Sequence, residues 1–284
     1  MAKTDPSTPQ AWANTLVTMW GPRFPVSVRD IALEYSQRRF DDPVLKIVEA
    51  DVATFEGALF PLRKKGGWAI LYNPSITSQG RINYTLGHEF GHYLCHRQSA
   101  EDGFECGESD VVGASRQQER EADLFSSYLL MPLTDFREQV GRQNMTLDLL
   151  RHCADRYEVS FTAAALKWLE GTSESAAVVV ATNGFINWCS RSRAAQRAGI
   201  FFPQGMELPE GSVAAAGESA ASDVGVNLPP GVWGARPTRE VAIFADRYEM
   251  TISLLVFEAP DFIPMEFMDE EVEDSFDRFG RFNR

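Results

Sequence analysis

Cysteine is scarce in this 284-residue chain. The four present, Cys95, Cys106, Cys153 and Cys189, include no Cys-x-x-Cys pair. That spacing excludes the dense disulfide framework of a small secreted domain, and free thiols in a reducing cytoplasm are expected. Long apolar runs are also missing. The longest aliphatic stretch, AAVVVA at 176–181, is far short of a membrane span. The opening MAKTDPSTPQAW has no apolar core of the kind a secretory signal needs. A cytoplasmic protein without a membrane partner is the expectation. Basic charge is in deficit, with 27 Lys and Arg against 40 Asp and Glu and a net charge of -13. A protein that coats DNA or an anionic membrane over its whole surface is thereby disfavoured, although a local basic site is not.

Hydrophobic residues make up 44% of the chain and charged residues 24%, which suffices for a buried core and excludes wholesale disorder. The length suits about two domains. Residues 11–40 read as two helices split by Gly21-Pro22. After Asp41-Asp42-Pro43, the segments VLKIVEADVATFEGALFPLR and GGWAILYNPS are β-rich. INYTLGHEFGHYLCH reads as a helix, residues 97–115 as a loop, and 116–131 as a second helix that stops before Pro132. Residues 133–171 have the rhythm of a helix-turn-helix. Their charges are Arg137, Arg142, Arg151, Arg156 and Lys167 against Asp135, Glu138, Asp148, Asp155, Glu158 and Glu170, so composition supplies no basic face. A structural spacer is therefore favoured over a DNA reader. From Glu174 the texture is again β-rich, with Asn183-Gly184 as a hairpin turn. The small-residue run 211–225 reads as a loop, and the acidic tail after Pro264 as a solvated helix or frayed end. The expected fold is α+β in three parts: a first α+β domain at 1–132, the helical segment at 133–171, and a β-rich α+β domain at 172–284.

His88-Glu89-Phe90-Gly91-His92 carries the chemistry. Residues four apart share a helix face, so both imidazoles can reach one metal ion. Glu89 is turned about 100° from His88 and can face a metal-bound water without ligating. Zinc lowers the pKa of that water to about 7, and Glu89 would accept its proton. A third protein ligand is needed. The HExxHxxGxxH pattern fails, because Cys95 and Gln98 stand at its Gly and His positions. His96 lies a further turn along and reads as structural. The following helix offers Glu119 and Glu121, on opposite edges of an apolar face made by Ala122, Phe125 and Leu129. Periodicity does not separate them. Glu119 is chosen because Asp123 sits one turn on, where it can hold the outer nitrogen of a zinc-bound His.

NPSITSQGRINYTLGHEFGHYLCH followed by EREADLFSSYLLMP resembles the ImmA/IrrE family of zinc metallopeptidases, over roughly residues 25–170. The resemblance implies a zincin-like fold. It makes His88 and His92 zinc ligands, Glu89 the general base and Glu119 the acidic ligand, with Asp123 where Asn or Asp is usual. Ser126 departs from a common Ala. It also implies a substrate, a helix-turn-helix repressor whose cleavage releases stress, DNA-damage or phage-defence genes. Some relatives of similar length carry a GAF-like sensor domain, which would fall in the β-rich region. Relatives in phage defence are reported to use a cysteine that enters zinc's open position, and Cys106 is the cysteine placed for it. Its alternative is an idle loop thiol.

Trp188 with Arg191, Arg193 and Arg197 can be read as a ligand-sensing cluster that stacks a base and binds phosphate, with single-stranded DNA or a small molecule as activator. The plainer reading is a solvated edge beside a core Trp. GGWAILYNPS is expected to offer a strand edge to substrate. Two rivals to the peptidase stand: a DNA-binding regulator with a structural metal site, and a toxin–antitoxin partner that acts by binding. An intact Glu89 argues against a purely structural site.

Overall fold

The first helices follow from their caps. Thr8 accepts from the Ala11 amide ahead of α1 (Pro9–Trp20), and Ser27 accepts from Asp30 ahead of α2 (Val28–Arg39). In this computed structural model, residues 5–51, 55–99, 103–106, 116–245 and 250–258 are described, apart from the side chains of 104–106 and 245. The fold is mixed α+β with two sheets. Contacts divide the chain into two units, one of residues 1–136 with 154–160, the other of 137–153 with 161–284. The division crosses α5 (Leu133–Val140) and α6 (Leu147–Tyr157), so the 133–171 segment is shared between units.

The first unit has a four-stranded sheet of β1 (Val44–Glu49), β2 (Gly57–Leu62), β3 (Gly67–Tyr72) and β4 (Phe104–Cys106), in the order β1-β3-β2-β4. β1 runs parallel to β3, and the other pairs are antiparallel. β3 is therefore interior, with both edges paired. The expectation that GGWAILYNPS offers a free edge to substrate is wrong, because a strand with partners on both sides has no backbone groups left to share. The loop reading of 97–115 also missed β4, a three-residue strand too short to show alternation.

Two helices cross close to this sheet, α3 (Gln79–His96) and α4 (Arg116–Leu130). Glycine permits their approach. A Cβ on Gly87 would lie 2.4 Å from Ser126 Oγ, and one on Gly91 would lie 3.0 Å from Ala122 Cα. The Ser126 hydroxyl donates to the Tyr84 carbonyl at 2.9 Å, a second tie between the helices. The C-terminal end of α3 is pinned through Asp42. Trp68 Nε1 donates to it at 3.1 Å and Arg97 Nε at 3.3 Å, while the Arg97 guanidinium lies 4.0 Å over Phe40.

The second unit holds α7 (Phe161–Gly171), β5 (Ser175–Thr182), β6 (Phe185–Arg191), α8 (Arg193–Arg197), α9 (Val213–Ala216), β7 (Val226–Leu228), β8 (Thr238–Ala245) and β9 (Met250–Phe257). Its sheet is antiparallel in the order β6-β5-β9-β8-β7. Asn183 and Gly184 turn the β5–β6 hairpin at φ of 52° and 81°, the left-handed values a type I′ turn requires. The run 211–225 is not all loop. Ser212 caps α9, and Val213 and Ala214 are buried. The cause is Glu240 on β8, fully buried, whose carboxylate accepts from the Val213 and Ala214 amides at 2.9 and 3.1 Å, from Trp233 Nε1 at 2.8 Å and from Ser253 Oγ at 2.8 Å. Four donors match a carboxylate's capacity, which is how a charge tolerates this burial.

The α3–α4 approach yields a test. Gly87→Ala gains helix propensity of about 1 kcal/mol but forces a methyl into Ser126, an overpacking cost of about 1–3 kcal/mol. Urea unfolding should show net destabilisation, with part of it recovered in Gly87→Ala/Ser126→Gly.

Candidate metal centre

His88 and His92 project from the same face of α3, and both are buried. Their Nε2 atoms are 3.0 Å apart. Glu119, in the first turn of α4, brings Oε2 to 3.2 Å from His88 Nε2 and Oε1 to 3.4 Å from His92 Nε2. Tetrahedral bonds of about 2.0–2.1 Å separate ligand atoms by about 3.3–3.4 Å. The three groups can therefore hold one metal ion. Two imidazoles and a carboxylate are also a donor set that catalytic zinc takes.

Protonation is set for ligation. Burial pushes His92 down to about 4, against opposing hydrogen bonding from Glu119, so the ring is neutral at pH 7. Burial alone would raise Glu119. Hydrogen bonds from His88 and His92 overcome it and hold the carboxyl well below its usual range.

Each histidine is held from behind. Asp123 Oδ1 lies 2.8 Å from His88 Nδ1 and accepts from the Tyr84 hydroxyl at 2.7 Å. Burial and the Asp123 charge raise the Tyr84 phenol well above its usual value, so it stays a donor. On the other side, His92 Nδ1 lies 3.1 Å from His96 Nδ1, and His96 Nε2 lies 2.8 Å from Glu121 Oε2. Gln117 donates to the other Glu121 oxygen at 3.0 Å.

The residues singled out from the sequence fall as follows. His88, His92, Glu119 and Asp123 come together, and Glu89 is fully buried on the same helix. His96 lies outside the group of three and contacts His92 from behind. Glu121 is its partner. The signal available for this pair was spacing: a third His at i+4, and a second Glu two residues after the first. Cys106 lies in β4 opposite Gly57 in register, and its side chain is outside the described residues. Burial and the Glu121 charge raise the Cys95 thiol to about 12, which keeps it protonated. No sequence pattern marks Gly57. A Cβ there would meet Glu89 Oε1 at 2.7 Å and Thr85 Cγ2 at 2.5 Å, so only glycine leaves room for the Glu89 carboxylate.

Trp188, Arg191, Arg193 and Arg197 do not form one cluster. Trp188 is buried and pairs with Val180, while Arg191 pairs with Ala177, on the opposite face of the sheet. Arg193 and Arg197 are exposed on the five-residue α8.

Residues 41–169 match the family model described as the IrrE N-terminal-like domain, peptidase family M78. A solved structure of a Mycobacterium tuberculosis transcriptional regulator shares the fold with a TM-score of 0.51 at 12% identity, over 88% of this chain and 75% of that one. No curated protein matches. Among the described residues, no helix is long and apolar enough to cross a membrane.

Glu119→Gln should weaken Zn2+ binding about 100-fold or more, since an amide is a poor ligand. Glu121→Gln, acting only through His96, should weaken it about tenfold. Competition with a chelating dye measures both, and the reverse order would make Glu121 the ligand.

Proposed function

We propose that the chain is a zinc-dependent endopeptidase that cleaves a helix-turn-helix transcriptional repressor and so derepresses genes for stress, DNA damage or phage defence. The observation that carries this reading is the convergence of His88, His92 and Glu119 on one point, with buried Glu89 on the same helix. The M78 family match supports the peptidase class. The fold shared with a protein described as a transcriptional regulator supports a regulatory setting.

Zinc held by His88, His92 and Glu119 would supply a Lewis acid and make water nucleophilic near neutral pH. His88 and His92 offer neutral nitrogens, kept in orientation by Asp123 and by His96 with Glu121. Glu89 takes the proton of the attacking water and returns it to the departing amine as the peptide C–N bond breaks. Gly57 keeps the Glu89 carboxylate unobstructed. Among the described residues no strand pairs with the outer edge of β4, and the substrate backbone docks there as an added strand. Such docking reads little side-chain sequence, so selection of the repressor rests on contacts elsewhere.

The DNA-binding and toxin–antitoxin readings differ from this one at Glu89. Glu89→Gln should retain about one zinc per chain and lose at least about 1,000-fold in cleavage rate, because the general base is gone. The assay is digestion of a helix-turn-helix repressor encoded beside this gene, with zinc content measured in parallel. An uncut repressor with zinc-loaded wild type, or full cleavage by Glu89→Gln, would refute the reading.

A further inference from the structure

The second unit contains a cavity of roughly 510 Å³, between the loops 198–206 and 231–236 and beside Phe257 at the end of β9. Its aromatic lining residues are Phe201, Phe202, Trp233 and Phe257, and contacts within the protein hold them. Trp233 is fixed through its indole N–H to Glu240 at 2.8 Å. Phe202 meets Trp233 edge-on at 5.2 Å and stacks on Phe257 at 6.3 Å. At the rim, Phe201 is 57% exposed beneath the Arg191 guanidinium, 5.2 Å from its ring. Arg191 Nη1 also donates to the Ile200 carbonyl at 2.7 Å, which secures the rim. A cavity of this size, with both polar and apolar lining, suits a small organic molecule.

One lining residue is charged, Arg236, and no lining residue is acidic. Its Nη1 is buried and has no hydrogen-bond partner among the described residues. A buried cationic donor without an acceptor is costly, and an incoming anion supplies the acceptor. Arg236 is the single cation in the lining, while Arg191 at the rim is turned onto the Phe201 ring and the Ile200 carbonyl, so the cavity offers one cation to a ligand, which suits a carboxylate better than a phosphate dianion.

We propose that this cavity binds a small molecule with an aromatic body and a terminal carboxylate, the ring lying against Phe201 between the two loops, over a floor made by Phe202, Trp233 and Phe257, and the carboxylate on the Arg236 guanidinium. The site is independent of the peptidase reading, since it shares no residue with the His88–Glu119 centre. It differs from the cluster singled out in the sequence, of which Arg191 alone takes part, by bracing the rim.

Calorimetric titration of the full chain with phenylacetate and indole-3-acetate tests it, with 2-phenylethanol and indole-3-ethanol as neutral counterparts and inorganic phosphate as a third anion. At least one carboxylate should bind, about tenfold or more tighter than its neutral counterpart, the worth of one charged hydrogen bond. Arg236→Met should abolish that preference while leaving the weak binding of the neutral molecule. Arg236→Lys, which keeps the charge but not the forked donors, should fall between and guards against misfolding of the first variant. The proposal is overturned if neither carboxylate binds below about 10 mM, if carboxylate and neutral molecule bind alike, if phosphate binds more tightly than both acids, or if the folded Arg236 variants match the wild type.

Discussion

Gly87 and Gly91 let α3 meet α4 at backbone distance, against Ala122 and Ser126. On each helix the chemical residues stand one position away from these small ones: His88 and His92 on α3, Asp123 on α4, with Glu119 a turn earlier. The contact therefore sets how far Glu119 must reach, and the separations of 3.0 to 3.4 Å among the three donor groups depend on it. A larger residue at either glycine would open the site as a whole, because helices move as rigid bodies. The serine at 126 belongs to the same device, its hydroxyl tying the α4 interface to the Tyr84 carbonyl.

Much of this centre was legible because it is built on i, i+4 spacing within two helices, and helical periodicity is a strong sequence signal. The choice of Glu119 over Glu121 rested on Asp123, and in the structure Asp123 does contact His88. What escaped notice involves contacts between elements. The His96–Glu121 pair needs both helices in place, and Gly57 acquires meaning only when β2 lies against α3. β4 was hidden by its length. The interior position of β3 was hidden because sheet order is a property of pairing, which one strand's sequence does not encode.

In the second unit, alternation and the Asn183-Gly184 turn made the strands readable, whereas the layer above the sheet was not. That layer is organised by Glu240, a lone acidic residue in a β pattern. Its carboxylate gathers the start of α9, the Trp233 indole and Ser253 onto one sheet face. Composition alone reads such a residue as solvent-facing. Similarly, Trp188 and Arg191 looked adjacent along the chain but lie on opposite sides of β6, because side chains alternate.

The absent side chain at Gly57 also bears on how the first sheet assembles. β2 presents its glycine to Glu89, while the next residue, Ala58, pairs with Leu71 of β3. A slip of β2 by one residue would turn the opposite face toward α3 and press a methyl group against a buried carboxylate. Such a sheet could not close on its helix. The Gly57–Glu89 contact thus favours the observed register of β2 by steric exclusion.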